Sequence, residues 1–329
     1  MDAVADNLIC AYRLDGNGGA HPIGWEEVHA WRPGGATIWA HLDRAGEETQ
    51  RWVRQESGVP GIVATALLAN ASRPSSLRLG QGLMLNCRGV NLNPGADPQD
   101  MVWVQMWAEP GRIITTRHRV IMAIRDIRET LEQAEFDGPR DIGDMVVAIA
   151  DRLLDRMGPA LDALQEAIDV IDDGVTNAER VQRATQTELS RLRMRTIGLR
   201  RYLAPQREVF SRLPVQDLPL LDENHRSKLR ELSDRLSRIV EDLDATQERA
   251  SVVQDDIIQR LSERQERITL ILTVIAAVFL PLGLVTGLWG INTGGIPGYE
   301  KAWGFGMILG VLTIITLVEL WIFKKAGVL

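Results

Sequence analysis

Ile268-Thr269-Leu270-Ile271-Leu272-Thr273-Val274-Ile275-Ala276-Ala277-Val278-Phe279-Leu280-Pro281-Leu282-Gly283-Leu284-Val285-Thr286-Gly287-Leu288-Trp289 is a continuous, mostly apolar run. About 20 helical residues rise roughly 30 Å, so this run is long enough to cross a bilayer. The short segment Gly290-Ile291-Asn292-Thr293-Gly294-Gly295-Ile296-Pro297-Gly298 follows it, and Trp303–Phe323 forms a second such run. In hydrocarbon every backbone amide must find a partner within its own segment, which predicts two membrane helices joined as a hairpin. Two helices cannot enclose a water-filled path. If a polar cargo crosses here, several copies of the chain must surround it, which predicts a homo-oligomeric pore.

Residues 1–267 read as soluble. The start, Met1-Asp2-Ala3-Val4-Ala5-Asp6, lacks the basic segment and apolar core of a signal peptide. Cys10 and Cys87 form no ligand-like pair and fit a reducing compartment. Arg260, Arg264 and Arg267 precede the first span, and Lys324 and Lys325 follow the second, whereas the connecting loop carries only Lys301. Basic residues stay on the cytoplasmic side, so both termini are expected there and the loop outside. A net charge of −7 argues against nucleic acid as a partner and is compatible with cations.

Residues 1–140 predict an α+β domain. Its strands are expected at Thr37–Leu42, Leu83–Cys87, Val102–Trp107 and Arg112–Thr116, and its helices at Ser57–Asn70 and Arg119–Gln133. From Asp141 to about Phe210 the spacing is helical, with breaks expected at Gly158-Pro159 and near Gly174; this long-helix region closes at residue 223. A stalk helix is then expected over 224–267, continuing into the first span (268–289), a loop (290–302), the second span (303–323) and a basic tail (324–329). Between Asn224 and Pro281 lie roughly 56 residues without glycine or proline, about 84 Å as one helix. Leu229, Leu232, Leu236, Ile239, Leu243, Thr246, Ala250, Val253 and Ile257 recur at steps of three and four, the pattern of a coiled-coil seam.

A second stripe occupies another face of that helix: Asp255, Ser262, Glu266, Thr269, Thr273, Ala276, Leu280, Gly283 and Gly287. Small and polar residues on a membrane helix either allow close packing or line an aqueous path. For the glycines the two readings stand level. For Asp255 to Thr273, carboxylates and hydroxyls in one line favour a pore lining. Asn292 ends the first span. Taken alone, an Asn in that place is more often a helix cap, but repeated around an axis its carbonyl could hold a hydrated divalent cation through its waters. Glu319 is the one ionisable residue inside either span, which makes it a candidate proton relay. Its place about a turn from the basic tail favours the simpler reading, a side chain reaching interfacial water. No histidine follows His225 and no cysteine follows Cys87, so the hairpin cannot hold a dehydrated zinc site of imidazoles or thiolates. A Walker-type phosphate loop is absent too. His41 with Asp43, and His21 with His29, lack a catalytic constellation, so neither an enzyme nor a cofactor is expected, the metal ion being cargo.

The run Ile275–Asn292, ending Gly290-Ile291-Asn292, closely resembles the first membrane helix of CorA-type metal-ion transporters, whose signature is Gly-x-Asn with Met the usual middle residue. The loop Gly294-Gly295-Ile296-Pro297-Gly298 and the segment Arg88-Gly89-Val90-Asn91-Leu92-Asn93-Pro94-Gly95-Ala96-Asp97-Pro98 resemble the zinc-transporting ZntB branch. The resemblance implies a funnel-shaped homopentamer in membrane lipid, with an α/β/α cytoplasmic domain, long stalk helices and the first span lining the pore. Gly290, Ile291 and Asn292 would form the selectivity ring. Leu280, Gly283 and Gly287 would line the pore, with Thr269 and Leu272 near its cytoplasmic mouth, and Asp255 would match an acidic metal-sensing position. It further implies zinc uptake coupled to protons. The alternatives are a magnesium, cobalt or nickel channel of the same fold and, in another class, a membrane-tethered sensor or scaffold.

Overall fold

The computed structural model describes residues 7–70, 73–133, 138–177, 183–291, 301 and 303–325. The chain divides into two compact units, Met1–Gln254 and Asp255–Leu329.

The first unit is built on a seven-stranded sheet. Its strands are β1 (Leu8–Leu14), β2 (Ala20–Pro22), β3 (Ile38–Asp43), β4 (Ser75–Leu79), β5 (Gly82–Gly89), β6 (Val102–Glu109) and β7 (Arg112–Arg117), in the spatial order β2-β1-β3-β7-β6-β5-β4. Only β3 and β7 pair in parallel, so the sheet is mixed. The four strands expected from sequence are its centre, β3, β7, β6 and β5. All eight residues of β5 are buried, as befits a strand covered on both faces.

One face carries α1 (Trp25–Ala30), α2 (Glu47–Arg51) and α3 (Gly61–Leu68). Here Ala40, Leu42, Met84, Trp107 and Ile114 pack with Trp52, Val63 and Leu67. The helix expected over Ser57–Asn70 is shorter than that. Gly58 takes φ +71 and Pro60 caps α3, while upstream the Ser57 amide bonds the Trp52 carbonyl five residues back, a π turn. The other face carries α5 (Ile142–Asp155) and α7 (Arg183–Arg212), with α4 (Met122–Glu132) packed on α5 and α6 (Gly158–Asn177) on α7, completing an α/β/α arrangement. Close packing there depends on Gly89, where a Cβ would lie 2.6 Å from Leu153 Cδ2.

Asp141 caps α5 by accepting from the Asp144 amide at 2.8 Å. The break at Gly158-Pro159 separates α5 from α6. α6 runs through Gly174 and ends at Asn177, three residues past the expected break, because one exposed glycine costs only about 1 kcal/mol in a helix otherwise held by buried Leu161, Leu164 and Ile168.

Gln206 on α7, fully buried, fixes that helix to the sheet. Its Oε1 accepts from the Arg88 amide at 2.6 Å and its Nε2 donates to the Arg88 carbonyl at 3.2 Å. The side-chain amide therefore does for β5 what a neighbouring strand would do. Gln206→Leu strands two buried backbone groups, and is expected to cost about 2–4 kcal/mol, read as a lower unfolding midpoint.

The last two helices are α8 (Glu223–Trp289) and α9 (Gly304–Lys325). Along α8, Leu229, Leu232, Leu236, Leu243, Thr246, Ala250, Val253 and Ile257 are all buried. Ile239 is only half-buried, and its neighbour Val240 takes the core position. Ion pairs flank this seam. Arg235 reaches Asp151 at 2.6 Å and Asp155 at 2.7 Å on α5, and Arg249 reaches Asp169 at 2.7 Å on α6.

Candidate functional site

The second unit holds the stripe read from sequence. α8 passes through Pro281 without ending, although Pro281 has no amide to give the carbonyl of Ala277. Both α8 and α9 have the length and composition of membrane spans, with no part of either apolar window buried in the chain. Exposure, more than side-chain bulk, distinguishes the faces of α8. Val274, Val278, Pro281, Leu282, Val285 and Trp289 are half-buried, as are Val311, Ile315, Glu319 and Phe323 on α9. These are the faces the two helices shield.

Thr269, Leu272, Thr273, Ala276, Leu280, Gly283 and Gly287 are exposed, Leu280 at 72%. A Cβ added at Gly283 or Gly287 would meet nothing within 4 Å. Within one chain, then, the glycines are not packing against α9. Ser262, Gln265, Glu266, Thr269, Leu270, Thr273, Val274 and Phe323 line a groove of about 640 Å³. Four stripe residues, Ser262, Glu266, Thr269 and Thr273, thus share one concave wall. Sequence reasoning missed the rest of that wall. Gln265, Leu270 and Val274 lay outside the stripe's spacing, and Phe323 enters only because the end of α9 lies beside this part of α8. The Thr273 hydroxyl donates to the Thr269 carbonyl at 2.8 Å, which leaves its oxygen lone pairs facing outward for water or a cation.

Asp255 is exposed beside the Asp256–Arg260 pair, which closes at 2.8 Å. Gly290 and Ile291 end α8, the Gly290 amide bonding the Thr286 carbonyl at 3.0 Å. Asn292 and the loop 294–298 lie outside the described residues. Glu319 keeps its Oε2 shielded and without a hydrogen-bond partner among the described residues.

The segment Arg88–Pro98 plays a structural part. The Arg88 guanidinium stacks 4.8 Å from Trp103 and 4.4 Å from Tyr202 and donates to the Met101 carbonyl at 3.1 Å. Asn93 donates to the Val120 carbonyl at 3.0 Å, and Asp97 pairs with Arg195 of α7 at 3.5 Å. Burial pushes the Cys10 thiol up to about 12 and that of Cys87 higher still, which keeps both neutral near pH 7. His41 is fully buried, and desolvation holds its imidazole neutral while Nδ1 sits 2.8 Å from Thr115 Oγ1.

A sequence model described as "CorA-like Mg2+ transporter protein" matches residues 34–325. The chain belongs to the CorA family. It is 38% identical over 319 residues to the zinc transport protein ZntB of Pectobacterium atrosepticum, covering 97% of this chain and 95% of that one. To the divalent cation transporter CmaX of Pseudomonas aeruginosa it is 36% identical over 321 residues, covering 97% and 96%. The solved structure of full-length CmaX superposes with a TM-score of 0.85 at 36% identity over 97% of each chain. The resemblance to the CorA family and its ZntB branch, read from the Gly-Ile-Asn hairpin, therefore holds over nearly the whole sequence, and the family is one of transporters rather than enzymes.

Proposed function

We propose that this CorA-family chain forms a homopentamer in the bacterial inner membrane and carries Zn²⁺ into the cytoplasm, with both termini on the cytoplasmic side. The observation that carries this reading is the exposed stripe on α8. Ser262, Glu266, Thr269 and Thr273 line one groove, and a Cβ at Gly283 or Gly287 would meet nothing within 4 Å. Copies arranged around an axis would close those stripes into a conduit, with the remaining apolar surface facing lipid. The ring at Gly290, Ile291 and Asn292 selects a hydrated divalent ion through the amide carbonyl, since small hard cations shed water reluctantly. Thr269, Leu272, Thr273, Ala276, Leu280, Gly283 and Gly287 line the path, and Asp255 offers a carboxylate to the ion at its cytoplasmic end. Zinc as cargo rests on the similarity to zinc transport proteins.

Proton coupling is part of the same reading, supported by the shielded, unpartnered carboxylate oxygen of Glu319. The second reading, a magnesium-type channel, is favoured by the family description. Flux into proteoliposomes separates the two. We expect Zn²⁺ uptake to rise with an inward proton gradient, Mg²⁺ to compete poorly, and Glu319→Gln to remove the gradient's effect. Ready passage of Mg²⁺ with no response to pH would sink the zinc–proton reading, and a Glu319→Gln variant that still responds would remove that residue from the relay.

A further inference from the structure

Because β3 and β7 run parallel, their carboxyl ends lie side by side, with Asp43 paired to Arg117. In α/β sheets the crevice beyond such strand ends is where small ligands gather. Here it is a cavity of about 430 Å³, within the size range of small-molecule sites. Asp43, Arg117, His118 and Arg119 line it from the ends of the two strands, and Asn91 and Asn93 line it from the segment that follows β5.

The donors on this wall lack acceptors. Asn91 is 2% exposed, and its Oδ1 accepts from the Asn93 amide at 3.2 Å and from Asn93 Nδ2 at 2.7 Å. A backbone amide can only donate, so the atom it meets is the oxygen and the other is the NH₂ group. That Nδ2 has no hydrogen-bond partner among the described residues, which leaves it to donate into the cavity that Asn91 lines. An unsatisfied amide on so buried a residue is unfavourable, and an acceptor in the cavity removes the cost. Arg119 is exposed and makes no ion pair or hydrogen bond among the described residues. The His118 ring lies stacked 6.0 Å from Trp103, with neither nitrogen hydrogen-bonded among those residues. Arg117 adds a second guanidinium to the wall. α4 begins just beyond, at Met122, with no side-chain cap, so the positive end of its dipole strengthens the same field.

We propose that this cavity binds a phosphate group, either as free hydrogen phosphate or as the phosphoryl end of a small sugar phosphate. Arg117, Arg119 and Asn91 Nδ2 donate to its oxygens, a tetrahedral set of acceptors suited to forked guanidinium donors. Asp43 gives the site its selectivity. Its Oδ1 accepts from the Ala45 amide at 2.9 Å, while Oδ2 has no hydrogen-bond partner among the described residues and can accept a hydroxyl from the ligand. Hydrogen phosphate carries that hydroxyl on phosphorus and a sugar phosphate carries it on the sugar; sulfate has neither. This role lies outside the transport reading, and its readout is bound ligand and not flux.

The test is calorimetric titration of the full-length protein in detergent, in chloride buffer, with inorganic phosphate, ribose 5-phosphate and sulfate in turn. Wild type should bind one of the two phosphate compounds per chain and prefer it to sulfate by about tenfold. The tighter of the two names the source, ribose 5-phosphate for a sugar phosphate and inorganic phosphate for the free ion. Arg119→Gln changes an exposed side chain and should weaken that binding by about tenfold. Asn91→Asp keeps the oxygen that Asn93 donates to but sets a second acceptor where the NH₂ stood, and should abolish binding. Asp43→Asn should erase the preference over sulfate while both anions still bind, which a loss of fold would not produce. Wild type that binds neither phosphate compound, that binds sulfate equally well, or that is matched by folded Arg119→Gln overturns the site and leaves a solvated basic patch.

Discussion

Asn292→Ala or Asn292→Leu is expected to abolish zinc flux while the assembly keeps its size. The amide carbonyl is the only side-chain acceptor in Gly290-Ile291-Asn292, so its loss leaves nothing from a side chain to hold the waters of an entering ion. A hydrogen bond to a charged partner is worth about 1.5–3 kcal/mol, and losing two of them raises the barrier by at least about 3 kcal/mol. That slows passage on the order of a hundredfold. Stability should be nearly unchanged, since Asn292 lies past the end of the apolar run. Flux is measured with a zinc-sensitive dye in proteoliposomes and assembly by size-exclusion chromatography with light scattering. Undiminished flux in a correctly assembled variant would remove the selectivity role and return Asn292 to a helix cap.

The second large effect is expected at Gly283→Phe. Nothing lies within 4 Å of a Cβ at that position, so one chain accepts the ring without strain. If the stripe lines a shared path, several phenyl rings meet at the axis and form an apolar constriction that expels water. Flux should then fall by at least about tenfold with the oligomer intact. If Gly283 instead allows close helix packing between copies, the oligomer itself should come apart. If it faces lipid, neither flux nor assembly should change. Each outcome identifies a different neighbour for the same exposed glycine.

The contrast between β5 and β4 shows what could be read locally. Leu83–Cys87 is largely apolar and was legible as a strand. Ser75–Leu79 is mostly exposed and owes its strand state to the register Leu77↔Met84 and Ser75↔Asn86 with β5, not to its own composition. β1 and β2 likewise join the sheet through partners at or near its edge, and β2 ends at Pro22, a residue tolerated only there. For the candidate pore the alternation of three and four residues along α8 was sufficient to define a face, because helix periodicity alone fixes which side chains align. It could not say which face α9 covers. Extended in register, the heptad seam reaches Val274, Val278, Pro281 and Val285, which are half-buried, whereas Thr269, Thr273, Ala276, Leu280, Gly283 and Gly287 of the stripe are exposed.

The two apolar helices were readable from the order of residues, since bilayer thickness and backbone hydrogen bonding leave apolar runs of that length one conformation, and the family from the likeness of Ile275–Asn292 to its first membrane helix. The ion pairing of His225, at the start of α8, with Asp141 and Asp144, at the start of α5, was not, because these helix starts lie far apart in the chain and meet only when the helices pack. Gly143, unremarkable in the sequence, proves to be the position where a missing Cβ leaves room for the Leu220 carbonyl and the His225 ring. Periodicity reports one helix at a time; a contact between two helix ends depends on packing that no local pattern encodes.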